Sequence, residues 1–190
     1  MMSKLVPVLC LFAFHAAACG QVVSDPLCRQ GTNVLPNGGF EDPMHKWAAV
    51  PGPTQLCLAS RGFAAHDTQS GCLGVNGAPV ETLSQDVVLP AEARTVTLTG
   101  VICIDTDETD NLEHDSVALD LLDGDNVIAS LGTFSNRDGT HGCNFQPLHK
   151  TAPLTSASVA AMLRLRATQN GPNVTTFYFD DLSLTVGCTP

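Results

Sequence analysis

The chain has 190 residues, with 19 acidic against nine basic side chains, and its formal net charge at pH 7 is −10. It offers no basic patch that could release counterions from phosphates, so nucleic acid is not expected as a partner. The acidity also argues against direct adsorption to anionic lipid. This charge is typical of a soluble surface protein or of one that binds cations.

The first 20 residues have the three-part layout of a secretory signal peptide. Lys4 precedes an apolar stretch over residues 5–18, and small residues then lead to Cys19. An α-helix needs roughly 20 apolar residues to cross a bilayer, and this stretch is shorter. We therefore predict that residues 1–20 are a signal peptide and that the protein is exported.

Two cleavage sites are compatible with this segment. Cleavage before Cys19, in the sequence AAAC at residues 16–19, resembles bacterial lipoprotein processing, although the usual box has Leu where Ala16 stands. It predicts an outer-membrane or cell-surface lipoprotein, lipidated on Cys19 and attached to the membrane only through that lipid. Cleavage after Gly20 would instead release a soluble secreted protein that begins at Gln21. Both cleavage sites remain possible, and lipoprotein processing is favoured.

The number of cysteines predicts a disulfide framework. Of the eight cysteines, Cys10 lies in the signal peptide, and Cys19 is either lipidated or removed. The remaining six form an even set in an oxidising compartment, where cysteines pair. Six cysteines allow 15 pairings, and among them our working choice joins Cys28 with Cys188, Cys57 with Cys72, and Cys103 with Cys143. The first bridge would close a loop across the whole domain and would stabilise it by ~4–5 kcal/mol.

Strand-like segments follow the signal peptide and a short linker at residues 21–27. Apolar and polar residues alternate with period two over 95–102, 116–122, 127–131, 161–167 and 176–186. Turn-forming residues separate these segments, above all the sequence DGDN at 123–126, which predicts a hairpin. In the segment 161–167 the apolar residues share one face and both arginines lie on the other. We expect residues 28–190 to form a single all-β domain, a two-sheet antiparallel β-sandwich with jelly-roll topology, braced by disulfides.

Three short motifs carry a family likeness: NVLPNGGFE at residues 33–41, SGCLGV at 70–75 and FYFDDLSL at 177–184. In this order and spacing they resemble the opening strand, an early turn and the closing strand of the carbohydrate-binding jelly rolls of cellulases and xylanases. These modules belong to the galactose-binding-domain-like group. Trp47, which follows the first motif, is expected in the core.

The resemblance implies a structural calcium ion that joins the first and last strands. It places Glu41 and Asp180 as carboxylate ligands, with backbone carbonyls near Gly39 and Cys72. Asp181 could replace Asp180, because alternation alone does not decide which of the two points inward. Calcium takes six to eight oxygen ligands and commonly mixes carboxylates with backbone carbonyls, so this donor set is chemically sound.

The chain departs from the sugar-binding relatives in its aromatic content. Such modules present several rings that stack on sugars, whereas this chain has one Trp and one Tyr. A glycan site would therefore depend on hydrogen bonds from polar loops. The candidates are Asp107 and Asp110, in the acidic segment 105–115, together with Tyr178. That segment is expected to be a solvated connection between two strands, with a second cation site or a ligand-binding loop as alternatives.

The chain contains neither H-E-x-x-H nor G-x-S-x-G, two common hydrolase signatures. We predict no enzymatic activity. The preferred hypothesis is a non-catalytic, surface-displayed binding module for a glycan or cell-envelope polysaccharide. The alternative is a structural or protein-interaction lipoprotein that keeps the jelly roll without a sugar site.

Overall fold

The computed structural model describes residues 25–29, 31–42, 47–52, 56–58, 62–75, 77–170 and 173–188. The predicted signal peptide, with Cys19, lies outside these residues, as does most of the predicted linker. Within the described ranges no helix is long and apolar enough to cross a membrane.

The described residues form two antiparallel five-stranded sheets. The strands are β1 (Ala48–Val50), β2 (Leu56–Leu58), β3 (Gln69–Leu73), β4 (Val80–Val88), β5 (Ala93–Thr106), β6 (Ser116–Asp123), β7 (Asn126–Ser135), β8 (Gln146–Pro153), β9 (Ala160–Thr168) and β10 (Thr175–Cys188). The first sheet has the order β1-β4-β9-β6-β7, and the second sheet has the order β2-β3-β10-β5-β8. Short 3-10 turns at Pro26–Cys28 and Asn136–Asp138 complete the described regular structure. The predicted disulfide-braced β-sandwich is confirmed.

Alternation along the strands builds the core between the two sheets. In β9 four apolar side chains point inward and are at most 6% exposed, namely Ala161, Leu163, Leu165 and Ala167, whereas Met162, Arg164 and Arg166 point outward. The predicted hairpin is also present, with β6 paired to β7 across the turn at residues 123–126. Side chains from both sheets meet in one apolar cluster, whose completely covered members include Leu98, Leu119, Leu163, Leu165, Phe177, Phe179 and Leu184. Burying each such side chain contributes about 1.5–3 kcal/mol.

Trp47 belongs to this core, as predicted. It is 4% exposed, its ring stacks on Phe40 with centroids 4.9 Å apart, and its Nε1 donates a hydrogen bond to the Asn37 carbonyl at 2.8 Å. The indole therefore holds the opening motif in place and is not available to a ligand.

Three disulfides brace the sandwich, and they are the three pairs expected from the sequence: Cys28–Cys188, Cys57–Cys72 and Cys103–Cys143. The first links the 3-10 turn at Pro26–Cys28 to the end of β10. The second links the neighbouring strands β2 and β3. The third ties the loop between β7 and β8 to β5.

Candidate functional site

The three motifs of the family likeness, far apart in sequence, meet at one place. Gly38 packs against the backbone of Leu182 so closely that an added Cβ would overlap the Leu182 carbonyl, and the Leu182 amide donates to the Gly38 carbonyl at 3.0 Å. Phe40 packs against Gly71 in the same way, because a side chain at Gly71 would collide with the Phe40 ring. These two glycines are therefore required by close backbone approach. We call this region the motif junction.

The two carboxylates predicted to bind calcium both hold the segment that leads into β3. Glu41 accepts a hydrogen bond from the Thr68 amide at 2.8 Å, a second from the Thr68 hydroxyl at 2.6 Å and a third from the Gln69 amide. Asp180 accepts from the Ala65 amide at 2.9 Å and from the His66 amide at 3.0 Å. The opening motif and the last strand thus clamp residues 65–69 between them.

The structure also shows which of the two adjacent aspartates faces inward. Asp180 is 1% exposed, whereas Asp181 is exposed and pairs with the His66 imidazole. The alternation of β10 breaks here because a register shift lies between Asp180 and Ser183 and Asp181 takes a left-handed backbone, with φ of 51°. Asp180 therefore binds the backbone of the clamped segment, whereas Asp181 contacts that segment through the exposed His66 side chain.

The pKa shifts of these groups follow from their surroundings. Burial raises the pKa of Asp180 and outweighs its hydrogen bonds from His66, Asp181 and Ala65. Burial also acts to raise the pKa of Glu41, but the hydrogen bonds from Thr68 and Gln69 prevail and the net pKa is lowered. The Asp181 hydrogen bond and charge raise the pKa of His66. A cation at Asp180 would offset the cost of keeping that carboxylate charged.

The clamp carboxylates retain capacity for a metal ion. A carboxylate has about four acceptor sites, and each of the two accepts three hydrogen bonds from the described residues, counting the Asp181 amide on Asp180 Oδ1. Within the described part of the chain, Glu41 Oε2 and Asp180 Oδ1 each accept a single hydrogen bond. Gly39 lies two residues before Glu41 in the opening motif, and Cys72 lies in β3, beyond the clamped segment. As hard oxygen donors, both carboxylates are of the type that calcium takes as ligands.

The outer face of the second sheet is covered around Tyr178. The ring of Tyr178 is 5% exposed and stacks on Phe63, with centroids 5.0 Å apart and planes 2° apart. On either side, across the strands, lie Cys72 and Cys103, each 1% exposed and each bridged to a cysteine further out. We call this region, together with Cys57, Cys143 and Phe145, the capped face. Tyr178, a ligand candidate in the sequence, therefore has its ring covered by Phe63 in this structure.

A groove opens at the edge of the sandwich, where β7 ends the first sheet and β8 ends the second. It consists of two adjoining cavities of about 500 Å³ and 300 Å³, which share Gly139 and Thr140. The larger is lined mainly by the acidic segment and by Arg137 and His141. The smaller is lined by Ile102, Ile104, Phe134, Asp138, Asn144, Gln146 and Pro147. We call the two together the edge groove.

Asn136 holds the acidic wall of the edge groove in shape. It is 4% exposed, its Oδ1 accepts from the His114 and Asp115 amides at 2.9 and 3.1 Å, and its Nδ2 donates to the Leu112 carbonyl at 2.9 Å. The opposite wall is tied down by the Cys103–Cys143 disulfide. The connection between β5 and β6 is largely exposed, as predicted, but it is held by defined contacts.

The two acidic candidates from the sequence both line this groove. Asp107 Oδ1 lies 3.0 Å from His141 Nδ1, and Asp110 lies 3.0 Å from His114 Nε2. Asp110, His114 and Glu108 also place one ligand atom each within 4.8 Å of one another, so this acidic group could hold a metal ion. It differs from the motif junction, where the sequence placed calcium.

Comparison with known proteins identifies the fold. No protein-family model matches the chain, and no curated protein sequence does. Among solved structures, a family 61 carbohydrate-binding module in complex with β-1,4-galactotriose aligns with a TM-score of 0.54 and 15% identity, over 82% of this chain and 99% of its own. A family 16 carbohydrate-binding module aligns with a TM-score of 0.50 and 18% identity, over 80% and 99%.

A glycoside hydrolase contains a similar region. An arabinose-bound family GH51 α-L-arabinofuranosidase aligns with a TM-score of 0.53 and 10% identity, over 81% of this chain but only 26% of the enzyme. At these identities the similarity defines the fold. The chain is a jelly roll of the carbohydrate-binding-module type, as the three motifs predicted.

Proposed function

We propose that the protein is a non-catalytic glycan-binding module that acts outside the cell. The observation that carries the proposal is the edge groove, a largely polar cavity joined to a smaller one of mixed polar and apolar lining, on a fold shared with carbohydrate-binding modules. Its combined volume lies in the range of ligand sites.

The chemistry of the edge groove suits a sugar better than an apolar ligand. Side-chain amides, carboxylates, a guanidinium and hydroxyls can each exchange hydrogen bonds with sugar hydroxyls, and bonds to charged groups contribute about 1.5–3 kcal/mol each. The half-buried Phe134 ring gives the smaller cavity one apolar wall. Such a site matches a chain with few aromatics, since it depends on polar loops.

Pre-organisation of the walls supports this assignment. Asn136 and the Cys103–Cys143 disulfide hold the two sides of the groove before any ligand arrives. A loop that is already ordered loses little conformational entropy on binding, so more of the interaction energy appears as affinity.

A glycan array with the purified protein, run first in calcium and then in chelator, tests the proposal. We expect reproducible binding that soluble ligand competes away, and β-1,4-galactan and arabinan are the first neutral polymers to include. A blank array from folded protein would contradict glycan binding and would direct the search to a protein partner.

A double variant locates the site. Asn144→Ala with Gln146→Ala removes two exposed amides from the smaller cavity and is expected to weaken binding about 30-fold, at about 1 kcal/mol per hydrogen bond. Asn126→Ala is the matched control, an exposed amide at the opposite end of β7. Equal losses in both variants would contradict a site in the edge groove.

We further propose that calcium binds at the motif junction, through Glu41 and Asp180. Calcium would supply positive charge to the buried Asp180 carboxylate and link the opening motif to the last strand. Excess calcium should raise the melting temperature, and Glu41→Ala should lower it and abolish the calcium effect, whereas Glu113→Ala, an exposed acid in the acidic segment, should leave it intact. Identical melting curves in calcium and in chelator would contradict the proposal.

We also propose that the protein is exported and carries a lipid on Cys19. A lipid on this residue would display the module at the cell surface and leave its acidic body in solution. Fractionation of producing cells tests this, since Cys19→Ser should move the protein from the membrane fraction into the soluble fraction. A protein that is soluble with Cys19 intact would favour plain secretion.

A further inference from the structure

The outer face of the first sheet carries two arginines in its centre. β9 is the middle strand of that sheet, and Arg164 and Arg166 are successive outward residues on it, about 7 Å apart along the strand. Both arginines are half-buried. They stand out in a chain whose acidic residues outnumber the basic ones by about two to one.

The neighbouring strands surround these arginines with short side chains. Arg166 lies opposite Thr82 on β4 and Ala118 on β6. Arg164 lies opposite Ser84 and Asp120 on the same two strands. The next strands out add Ala48, Val50, Ser130 and Thr133 to these two rows. We call these two rows the arginine face. Because the side chains on both sides of the arginines are short, an extended polymer can lie across the guanidinium groups.

The positive charge of the arginine face is only partly neutralised. Arg164 Nη2 pairs with Asp120 Oδ2 at 3.2 Å. Arg166 Nη1 donates to the Thr168 hydroxyl at 3.2 Å, and no carboxylate of the described residues pairs with it. The Nε of Arg164 is buried and has no acceptor among the described residues. An anionic ligand would supply the carboxylate that Arg166 lacks among the described residues.

We infer that the arginine face binds a polyuronate, a polysaccharide whose sugar units carry carboxylates. The inference takes from the proposed function only that the ligand is a polysaccharide. It does not depend on the edge groove, because the arginine face is a separate surface. The planar guanidinium of Arg166 receives a uronate carboxylate in a fork of two parallel hydrogen bonds, and Arg164 provides a second positive group for the next part of the chain.

Charge complementarity selects this ligand. A neutral polymer would provide no carboxylate for Arg166. The acidic protein as a whole also repels anions at long range. Binding therefore depends on short-range contact with the two arginines, and added salt weakens it because the face is open to solvent.

Titration of the purified protein with sodium polygalacturonate, in chelator to prevent gelling, tests the inference. Methyl-esterified pectin is the matched ligand control, since esterification removes the carboxylate charge and keeps the backbone. Arg166→Gln should raise the dissociation constant at least about 10-fold, and Arg166→Lys, which keeps the charge and loses the fork, should give an intermediate loss. Arg94→Gln, the same charge change on an exposed arginine of β5, should stay within about twofold of the unmodified protein.

Each contrary result overturns the inference. No binding of polygalacturonate by the unmodified protein, unchanged binding by a folded Arg166→Gln protein, or equal affinity for the esterified polymer would do so. Equally tight binding of dextran sulfate with the same dependence on Arg166 would make the face a general anion site and overturn the uronate assignment. The groove variant Asn144→Ala with Gln146→Ala should keep polygalacturonate binding, so failure of the edge groove and failure of the arginine face are distinguishable.

Discussion

The two sheets of the sandwich differ in what covers their outer faces. On the second sheet, Tyr178 lies beneath Phe63 and between two disulfides, so the capped face is in effect a small second core. On the first sheet, Arg164 and Arg166 stand among short polar side chains, and the described residues place no comparable layer over them. Both faces follow the same strand alternation, yet one contributes to stability and the other is free to contact a ligand.

This difference explains the few aromatic residues available to a sugar. Trp47 and Tyr178 are both buried, one in the main core and one in the capped face. Both rings hold the structure and are covered by other side chains. In the proposed function, recognition therefore depends on polar and charged groups in the edge groove and on the arginine face.

The largest expected contrast between the two faces comes from truncating one side chain on each. Tyr178→Ala should lower the free energy of unfolding by about 3–5 kcal/mol, because it empties a buried aromatic site. Met162→Ala, on the outer side of β9, should change it by about 1 kcal/mol or less, since that side chain is only half-buried. Urea denaturation of the oxidised proteins measures both. Similar costs at the two positions would show that the capped face is not a second core.

Removing a disulfide of the capped face should be nearly as costly. Cys103→Ser with Cys143→Ser opens a 40-residue loop and should cost about 4 kcal/mol in the chain-entropy model. It should also weaken glycan binding, because Cys143 anchors a wall of the edge groove. Cys57→Ser with Cys72→Ser opens a 15-residue loop and should cost about 3 kcal/mol without changing the affinity of the folded protein. An unchanged affinity in Cys103→Ser with Cys143→Ser would show that this disulfide does not hold the edge groove in its binding shape.

The capped face should also respond to pH through His66. This residue lies in the segment that carries Phe63, and its hydrogen bond with Asp181, aided by the charges of Asp180 and Asp67, raises its pKa. The folded state therefore holds the proton more tightly than the unfolded chain, whose histidine pKa is about 6.5. The stabilisation is complete below that value and is lost as the pH rises through the folded pKa.

Melting temperatures measured on both sides of that range check the effect. The difference between acidic and alkaline buffer should shrink in His66→Gln and persist in His149→Gln, which changes an exposed histidine on β8. An unchanged pH dependence in His66→Gln would contradict a contribution of the His66–Asp181 pair to stability.

The smallest expected effect lies on the arginine face. Arg166→Gln should change the free energy of unfolding by about 0.5 kcal/mol or less, because it removes a half-buried charge that pairs with no carboxylate of the described residues. Chemical denaturation, run beside the polygalacturonate titration, measures it. A loss above about 2 kcal/mol would mean that Arg166 holds the sheet together and would make its effect on binding uninformative.

Most of the strands were predictable because their signal is local. The alternation of Ala161, Leu163 and Leu165 with the two arginines needs no knowledge of the rest of the chain, and the hairpin at residues 123–126 needs only its turn. The acidic candidates Asp107 and Asp110 were found from the local run of carboxylates at residues 105–115, and both line the edge groove.

The remaining parts of the site had no local signal. Asn136 directly follows β7 and looks like any other asparagine of a turn, yet it holds the acidic wall. Phe63 lies 115 residues before the tyrosine that it covers. Gln146 and Phe134 come from different sheets and share a cavity only because both sheets end at the same edge.

The amino-acid sequence by itself determined the fold class, since strand periodicity and turn chemistry are properties of neighbouring residues. The tertiary structure decided which side chains those strands bring together. It turned Asp180 inward and Asp181 outward through a register shift in β10, covered Tyr178, and joined three distant motifs around Gly38 and Gly71. These outcomes depend on sheet order and register, which are set by packing between residues far apart in the chain.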